Sequence, residues 1–356
     1  MSGDSPYPEL KKSHTMAHLG RPWRDYKPPP SGPVWSVIQG FNNYWSLVAA
    51  VDLGIFDALQ EKPLDAEALA QSLDLSALHL RHLLDVMVTM EFLEQVEGVF
   101  ALTETAERYL CTNGAASMAA LVRVSPGPLE NWLNLAETVR TGSVASPIDD
   151  AIEGVYVPLV KATFATQFRA ASRLGIKLGW ERLPGLRVLD LGAGCAPWAL
   201  AVLSQSDASR ALINDWPEVL EHAEEKVREH AMAERCEYLP GDFHDIAIPA
   251  ASFDVVVLGH VCRTEGPELA PALIARAVEG LKPGGKLLVA DYYADNERRL
   301  NPFGVQMGMT MLANTRHGQA LTHEEMVTWL EGNGLQAIRL LEPIPFNLVY
   351  VAEKPA

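Results

Sequence analysis

Across residues 34–59 apolar side chains recur every three or four positions: Trp35, Ile38, Phe41, Tyr44, Trp45, Leu47, Val48, Val51 and Ile55. The spacing predicts a helix, and one this apolar on more than one face needs partners, a second copy of the chain among them. Residues 65–103 predict a short helix, a turn at 74–76, a second helix to Met90 and two short strands around Gly98, the pattern of a winged helix. Residues 129–180 are helical again, with a break over 142–147. From Leu186 the pattern changes to short apolar runs at 187–191, 211–215, 253–258 and 286–292, separated by helical stretches. Two last runs, at 336–341 and 346–353, are close enough in sequence to pair antiparallel. The succession predicts an α/β fold: a Rossmann-like, doubly wound, mostly parallel sheet with an antiparallel C-terminal strand, behind an α-helical winged-helix domain. The expected division is an arm over 1–33, a helical and winged-helix domain over 34–125, a helical connector over 126–180 and the sheet domain over 181–356.

Composition narrows the function. With 48% apolar and 21% charged residues, the 356-residue chain has material for a real core and is not a disordered or fibrous sequence. Its formal charge of −16 disfavours DNA and anionic membrane as partners. The winged helix does not reverse that. Between Glu61 and Leu110 three cations (Lys62, Arg81, Arg108) face ten Asp and Glu, whereas phosphate neutralisation needs several Lys or Arg contacts. A packing or dimerisation module is the better expectation. Cys111, Cys195, Cys236 and Cys262 form no CxxC or CxxH pair, so neither a metal site nor a disulfide framework is expected. No apolar leader or eighteen-residue apolar span occurs, which points to a cytoplasmic protein.

The most informative stretch runs from Val188 to Leu203. A buried strand ends at Asp190-Leu191, Gly192 and Gly194 follow in a turn, and a helix begins near Pro197. Glycines let the backbone turn tightly and approach a ligand, and the helix N-terminus offers free N–H groups. GxGxxG is not satisfied, because Pro197 stands at the third position. Asp215 ends the next strand, where an acid accepts from ribose hydroxyls. Asp242 and Phe243 follow the third strand; the acid is placed to accept from an exocyclic amine and the ring to lie against a purine. Three such elements, all outside strand C-termini, make a nucleoside site.

The glycine turn, the second-strand acid, Gly241-Asp242-Phe243 and the run 281–291 together resemble a class I S-adenosylmethionine methyltransferase. With residues 46–59 and the winged helix included, residues 35–354 resemble the caffeate/hydroxyindole O-methyltransferase family and its bacterial relatives. The resemblance implies S-adenosylmethionine as cofactor (S-adenosylhomocysteine as product), a homodimer with interlocked N-terminal helices, and a small-molecule acceptor under that module. It also implies that Asp190, Gly192, Gly194, Asp215, Asp242, Phe243 and Gly259 surround the donor.

The family's catalytic pattern is broken. Its K-x-x-x-H-D-W segment, which carries the general base, corresponds to Gly259-His260-Val261-Cys262-Arg263-Thr264-Glu265, so the base position is Arg263, which cannot take a proton near neutral pH. The Glu that orients the base is Ala320. Methyl transfer is an in-line displacement helped by positioning, and a base matters only when the nucleophile carries a proton. Loss of the dyad therefore favours a thioether, a thiol or an already anionic acceptor. Arg263 invites a role as a bidentate carboxylate anchor or as a charge that lowers a hydroxyl's pKa; an ion pair with Glu265 or Glu268 is the plain alternative. His260 and His317 are the candidate replacement bases. Met307, Met311 and Asn314 share one helical face and, with Trp132 and Phe168, are expected to line the acceptor pocket, though core packing accounts equally well for the methionines. The leading expectation is S-methylation of a small carboxylate-bearing acceptor. Its rivals are O-methylation of a phenol with His260 or His317 as base, and a donor-binding protein that transfers no methyl.

Overall fold

The computed structural model describes residues 31–125 and 127–356. The expected arm lies outside the described residues except for 31–33, and there helix α1 (Gly32–Asp52) has already begun, with Pro33 in its first turn. What the periodicity gives as one helix is two, α1 and α2 (Ile55–Glu61). Gly54 separates them at φ +71, a left-handed conformation that costs a residue without Cβ nothing. β1 (Leu64–Asp65), α3 (Ala66–Leu73), α4 (Ala77–Thr89), β2 (Leu93–Val96) and β3 (Val99–Leu102) build the winged helix, its small sheet ordered β1-β3-β2. Asp65 caps α3 by accepting from the Ala68 N–H at 2.7 Å. Ile55, Phe56, Leu69, Leu84, Met87 and Phe100 form this domain's core, closed by α5 (Glu104–Tyr109). Trp35, Ile38, Phe41 and Trp45 remain exposed on α1.

α6 (Ala119–Val124), α7 (Leu129–Leu133) and α8 (Leu135–Thr141) follow. Gly142, at φ +72, stops α8 where the break is expected. A 3-10 turn (Ile148–Asp150) and one π turn (Ile152–Tyr156) then lead into the long helix α9 (Val157–Leu178).

The sheet domain runs β4 (Arg187–Leu191), α10 (Pro197–Gln205), β5 (Arg210–Asp215), α11 (Pro217–Glu229), β6 (Cys236–Pro240), β7 (Phe253–Gly259), α12 (Cys262–Gly280), β8 (Leu281–Asp291), α13 (Pro302–Asn314), α14 (His323–Gly332), β9 (Gln336–Ile344) and β10 (Asn347–Glu353). Strand order is β6-β5-β4-β7-β8-β10-β9. β6, β5, β4, β7 and β8 are parallel, whereas β10 is antiparallel to both its neighbours. Apolar clusters cover both faces of the sheet: Leu174, Trp198, Val202 and Val257 on one, Leu189, Val256, Leu273 and Val289 on the other. The order reverses beside β4, with β5 on one side and β7 on the other. At such a switch point the loops leaving the strand C-termini part and open a crevice. Register brings Asp190 opposite Ile213 and Val257, and Gly259 opposite Ala290, so the glycine turn, Asp215, His260 and Asp291 all emerge at one edge.

Helix α12 is kinked at its start. Gly266 has φ +64, and its α-carbon lies so close to the His317 carbonyl that no side chain fits. Residues 262–265 thus form a separate short turn over the C-terminal edge of β7 and β8, before Pro267 restarts the helix. No helix among the described residues is long and apolar enough to cross a membrane.

Candidate active site

The glycine turn is held by the acid that ends β5. The Gly194 N–H donates to Asp215 Oδ2 at 2.7 Å and the Trp216 N–H to its Oδ1 at 2.8 Å. Gly192 and Gly194 both have positive φ, at +63 and +59. A Cβ at Gly192 would lie 2.6 Å from Val261 and 3.3 Å from the Phe243 ring, and one at Gly194 would lie 3.0 Å from Val160. The sequence therefore needs glycine here for both torsion and close approach. Burial pushes the Asp215 carboxyl up to about 6 against the two N–H donors that favour its anion. Asp190 lies beneath the turn: its Oδ2 accepts from the Ala199 N–H at 2.9 Å, tying α10 to β4. Its Oδ1 has no partner among the described residues, and burial raises the carboxyl to about 7. Gly259 ends β7 against Trp198, where a Cβ would come within 2.8 Å of the indole.

Across the turn stands the loop after β6. Asn214 donates to the Leu239 and Gly241 carbonyls, each at 2.8 Å, and Arg276 donates to the Phe243 carbonyl at 2.9 Å. Asp242 is exposed and Phe243 half-buried beside Gly192. The donor set suits an adenosyl group: a carboxylate for a vicinal diol, a second carboxylate for an amine, an aromatic face, and a glycine floor that a Cβ would fill. Asp149, Asp215, Asp242 and Glu265 give the surroundings the sign that a sulfonium cation prefers. No group of three metal-ligating side chains occurs among the described residues.

Arg263 is on the short turn at the start of α12, almost wholly buried. Its Nη1 donates to Asp291 Oδ1 at 2.9 Å and to the His260 carbonyl at 3.0 Å, and its backbone N–H donates to Asp291 Oδ2 at 3.0 Å. Its Nε has no partner among the described residues. Burial disfavours the guanidinium charge, but Asp291, with Tyr292 and Tyr156, more than offsets this and leaves the pKa above the usual Arg value. The guanidinium lies 5.2 Å from the centre of the Tyr292 ring. The ion pair is thus with Asp291, not with Glu265 or Glu268. Those two meet His244 (2.6 Å) and His317 (3.9 Å) respectively.

The two histidines sit in different surroundings. His260 is left-handed, at φ +66, and its Nε2 lies 2.7 Å from Gln167 Oε1, which also accepts from Asn347 at 3.1 Å. Burial first, then Arg263, drives its pKa down to about 3. It is neutral, so its 3.8 Å approach to Asp291 is not an ion pair. His317 is half-exposed on the loop before α14. Ala320 is buried with its Cβ against Gly308 of α13, where a side chain on the glycine would come within 2.8 Å of it.

Met311 is buried and Met307 half-buried on α13, and Asn314 at its end accepts from Asn131 Nδ2 at 3.1 Å. Trp132 is half-buried next to Asn131 on α7. Phe168 stacks on Phe164 (5.8 Å) and lies tilted against His230 (5.2 Å), partly buried beside the core of the sheet domain. Sequence reasoning missed Tyr292, whose ring touches His260 (4.7 Å) and Phe303 (5.1 Å), and Tyr156, whose ring meets Trp216 at 5.3 Å. Burial and the nearby Asp149 raise the Tyr156 pKa well above that of a free phenol. Tyr292 directly follows a strand C-terminus, the signal that located Asp215.

Residues 35–112 match the model of an O-methyltransferase dimerisation domain, and residues 177–336 that of an O-methyltransferase domain. The tetracenomycin polyketide synthesis 8-O-methyl transferase TcmO of Streptomyces glaucescens is 26% identical over 332 residues, covering 91% of this chain and 97% of that protein. The 3-hydroxy-5-methyl-1-naphthoate 3-O-methyltransferase of Streptomyces sahachiroi is 25% identical over 308 residues, covering 83% and 86%. The acetylserotonin O-methyltransferase of Bos taurus is 28% identical over 325 residues, covering 84% and 91%. In structure, human N-acetylserotonin methyltransferase in complex with S-adenosylmethionine superposes with a TM-score of 0.79 at 24% identity, over 93% of this chain and 99% of that one, a likeness of fold. The exposed apolar face of α1 falls within the dimerisation-domain match, which supports the expected homodimer. Matched in order over two thirds of its length, the chain belongs to the S-adenosylmethionine-dependent O-methyltransferase family of enzymes.

Proposed function

We propose that the protein methylates an acidic hydroxyl on a small aromatic acceptor, and that Arg263 takes the place of the base by holding the oxygen as an anion. The carrying observation is Arg263 itself: a buried guanidinium, pinned by Asp291 and by the His260 carbonyl, at the position where the family pattern has its base. A fixed positive charge lowers the pKa of a nearby hydroxyl, which then loses its proton to solvent before reacting. Asp291 also accepts backbone N–H bonds from Arg263 and Tyr292, and the guanidinium keeps its Nε–H without a partner among the described residues. Tyr292 and Phe303 offer ring faces for a planar acceptor, and Asn131 and Asn314 a polar roof.

Bound S-adenosylmethionine supplies a methyl carbon activated by its sulfonium. The chain's part is to bind and aim. Asp215 accepts from the ribose hydroxyls, Asp242 from the exocyclic amine, and Phe243 lies against the purine. The turn at Gly192 and Gly194 lets the donor approach the backbone. Val160 in the first turn of α9, beside Gly194, and Tyr156 in the turn that precedes that helix would cover it.

The sulfur acceptor favoured by sequence alone gives way to oxygen. The relatives described above carry oxygen acceptors in their names, two of them a polyketide and a naphthoate. Arg263 explains how an oxygen dispenses with a base. The test is incubation with S-adenosylmethionine and a panel of phenols, thiols and thioethers, read by mass spectrometry. S-adenosylhomocysteine together with the methyl ether of an acidic phenol is the expected result. Methylation of thiols or thioethers alone would overturn the oxygen reading, and no S-adenosylhomocysteine with any acceptor would favour a donor-binding protein without transferase activity.

A further inference from the structure

A hydrogen-bonded side-chain pair joins the loop carrying Asp242 and Phe243 to the short turn carrying Arg263. His244 Nε2 lies 2.6 Å from Glu265 Oε2, with both side chains mostly buried. Glu265 occupies the position where the family pattern has Trp, so a polar side chain stands in place of an aromatic one. The His244 backbone N–H donates to Asp242 Oδ1 at 2.8 Å, and Asp242 Oδ2 accepts nothing among the described residues. The His244 ring meets the Phe243 ring at 4.9 Å. A buried carboxylate is tolerated only when it is paired, and burial does raise the Glu265 pKa against its bond to His244. The pair therefore fixes the rotamer and backbone of His244, and through that residue the direction of the free Asp242 oxygen.

We infer that His244 and Glu265 are positioning residues that set the donor's base specificity, aiming Asp242 so that it accepts from an exocyclic amine and rejects a purine carbonyl. This rests on the donor-site reading given above. A carboxylate correctly aimed at an amine contributes a charge-assisted hydrogen bond, and against a carbonyl oxygen it meets repulsion. A carboxylate free to swing adapts to either by way of water.

The test compares the affinities of S-adenosylhomocysteine and S-inosylhomocysteine by titration calorimetry on the full chain, with melting temperature as a check on folding. The wild type should prefer the adenosyl ligand by about 30-fold. In His244→Ala and Glu265→Ala the preference should fall to about 3-fold or less, mostly through weaker adenosyl binding. Glu265→Gln keeps an oxygen that accepts from the imidazole, and should retain most of the preference; a merely structural pair would not produce this rescue. An unchanged preference in both alanine variants would overturn the inference while leaving the donor site standing. Absence of any S-adenosylhomocysteine uptake by the wild type would overturn the donor site and the inference with it.

Discussion

Replacing Asp215 by Asn separates donor binding from folding. The carboxylate receives two backbone N–H bonds, from Gly194 at 2.7 Å and Trp216 at 2.8 Å. Asn has one carbonyl oxygen, so one N–H loses a charged acceptor, at a cost of about 1.5–3 kcal/mol. Against that, burial makes the carboxylate costly to charge, a desolvation penalty of about the same size that the neutral amide escapes. The two nearly cancel, so the melting temperature at pH 8 should stay within about 5 °C of wild type. Binding has no such offset. At least one ribose hydroxyl loses a charged acceptor, which weakens S-adenosylhomocysteine by about 10- to 150-fold. Calorimetry at pH 8 measures that loss. The wild type should also bind more weakly as pH falls below 6, because only the ionised carboxyl accepts both hydroxyls, and Asp215→Asn should lack that limb. A Kd within threefold of wild type would refute the role of Asp215. A melting temperature lowered by far more than 5 °C would show that the acid serves the fold instead.

Asp190 tests burial alone. Its folded pKa of about 7 exceeds the ordinary 3.8, so the stability it contributes is present below pH 4 and lost as pH rises through 7, about 4 kcal/mol in all. Urea unfolding should accordingly show Asp190→Asn gaining on wild type from pH 5 to pH 8; a constant difference would contradict this. Arg263→Met should cost about 3–5 kcal/mol by stranding the buried Asp291, and Arg263→Met with Asp291→Asn should recover most of it, which the same unfolding assay reads. His317→Ala should leave kcat/KM within about twofold, since the ring is half-exposed against Glu268; a loss of 100-fold or more, the size of a base's contribution, would restore it as the base.

The sheet was legible because its central strands are short, continuous apolar runs, and Asp215 because an acid at a strand end has a fixed topological meaning. β6 is less apparent: Cys236–Pro240 is an edge strand with Glu237 exposed and no continuous apolar run. Periodicity also hid the break at Gly54, since α1 and α2 keep nearly the same phase across it. Helical spacing likewise puts Phe168 on one stripe with Phe164 but does not say which layer that stripe faces. The partner of Arg263 was beyond sequence reasoning, because nearby Glu265 and Glu268 compete on the helix while Asp291 arrives from the neighbouring strand 28 residues away. Pairing of His244 with Glu265 depends in the same way on how the β6 loop and α12 meet, which neither segment encodes alone.

The sharpest trial of Arg263 as a substitute for a base is kcat/KM against pH for a series of phenols of graded acidity. A fixed guanidinium predicts one rising limb that follows each phenol's own pKa, displaced downward by a constant amount, and unchanged in form when His260 or His317 is replaced by Ala. A limb that stays near pH 6.5 whatever the phenol, and that vanishes with one of those histidines, would mean that an imidazole takes the proton and that the account is wrong.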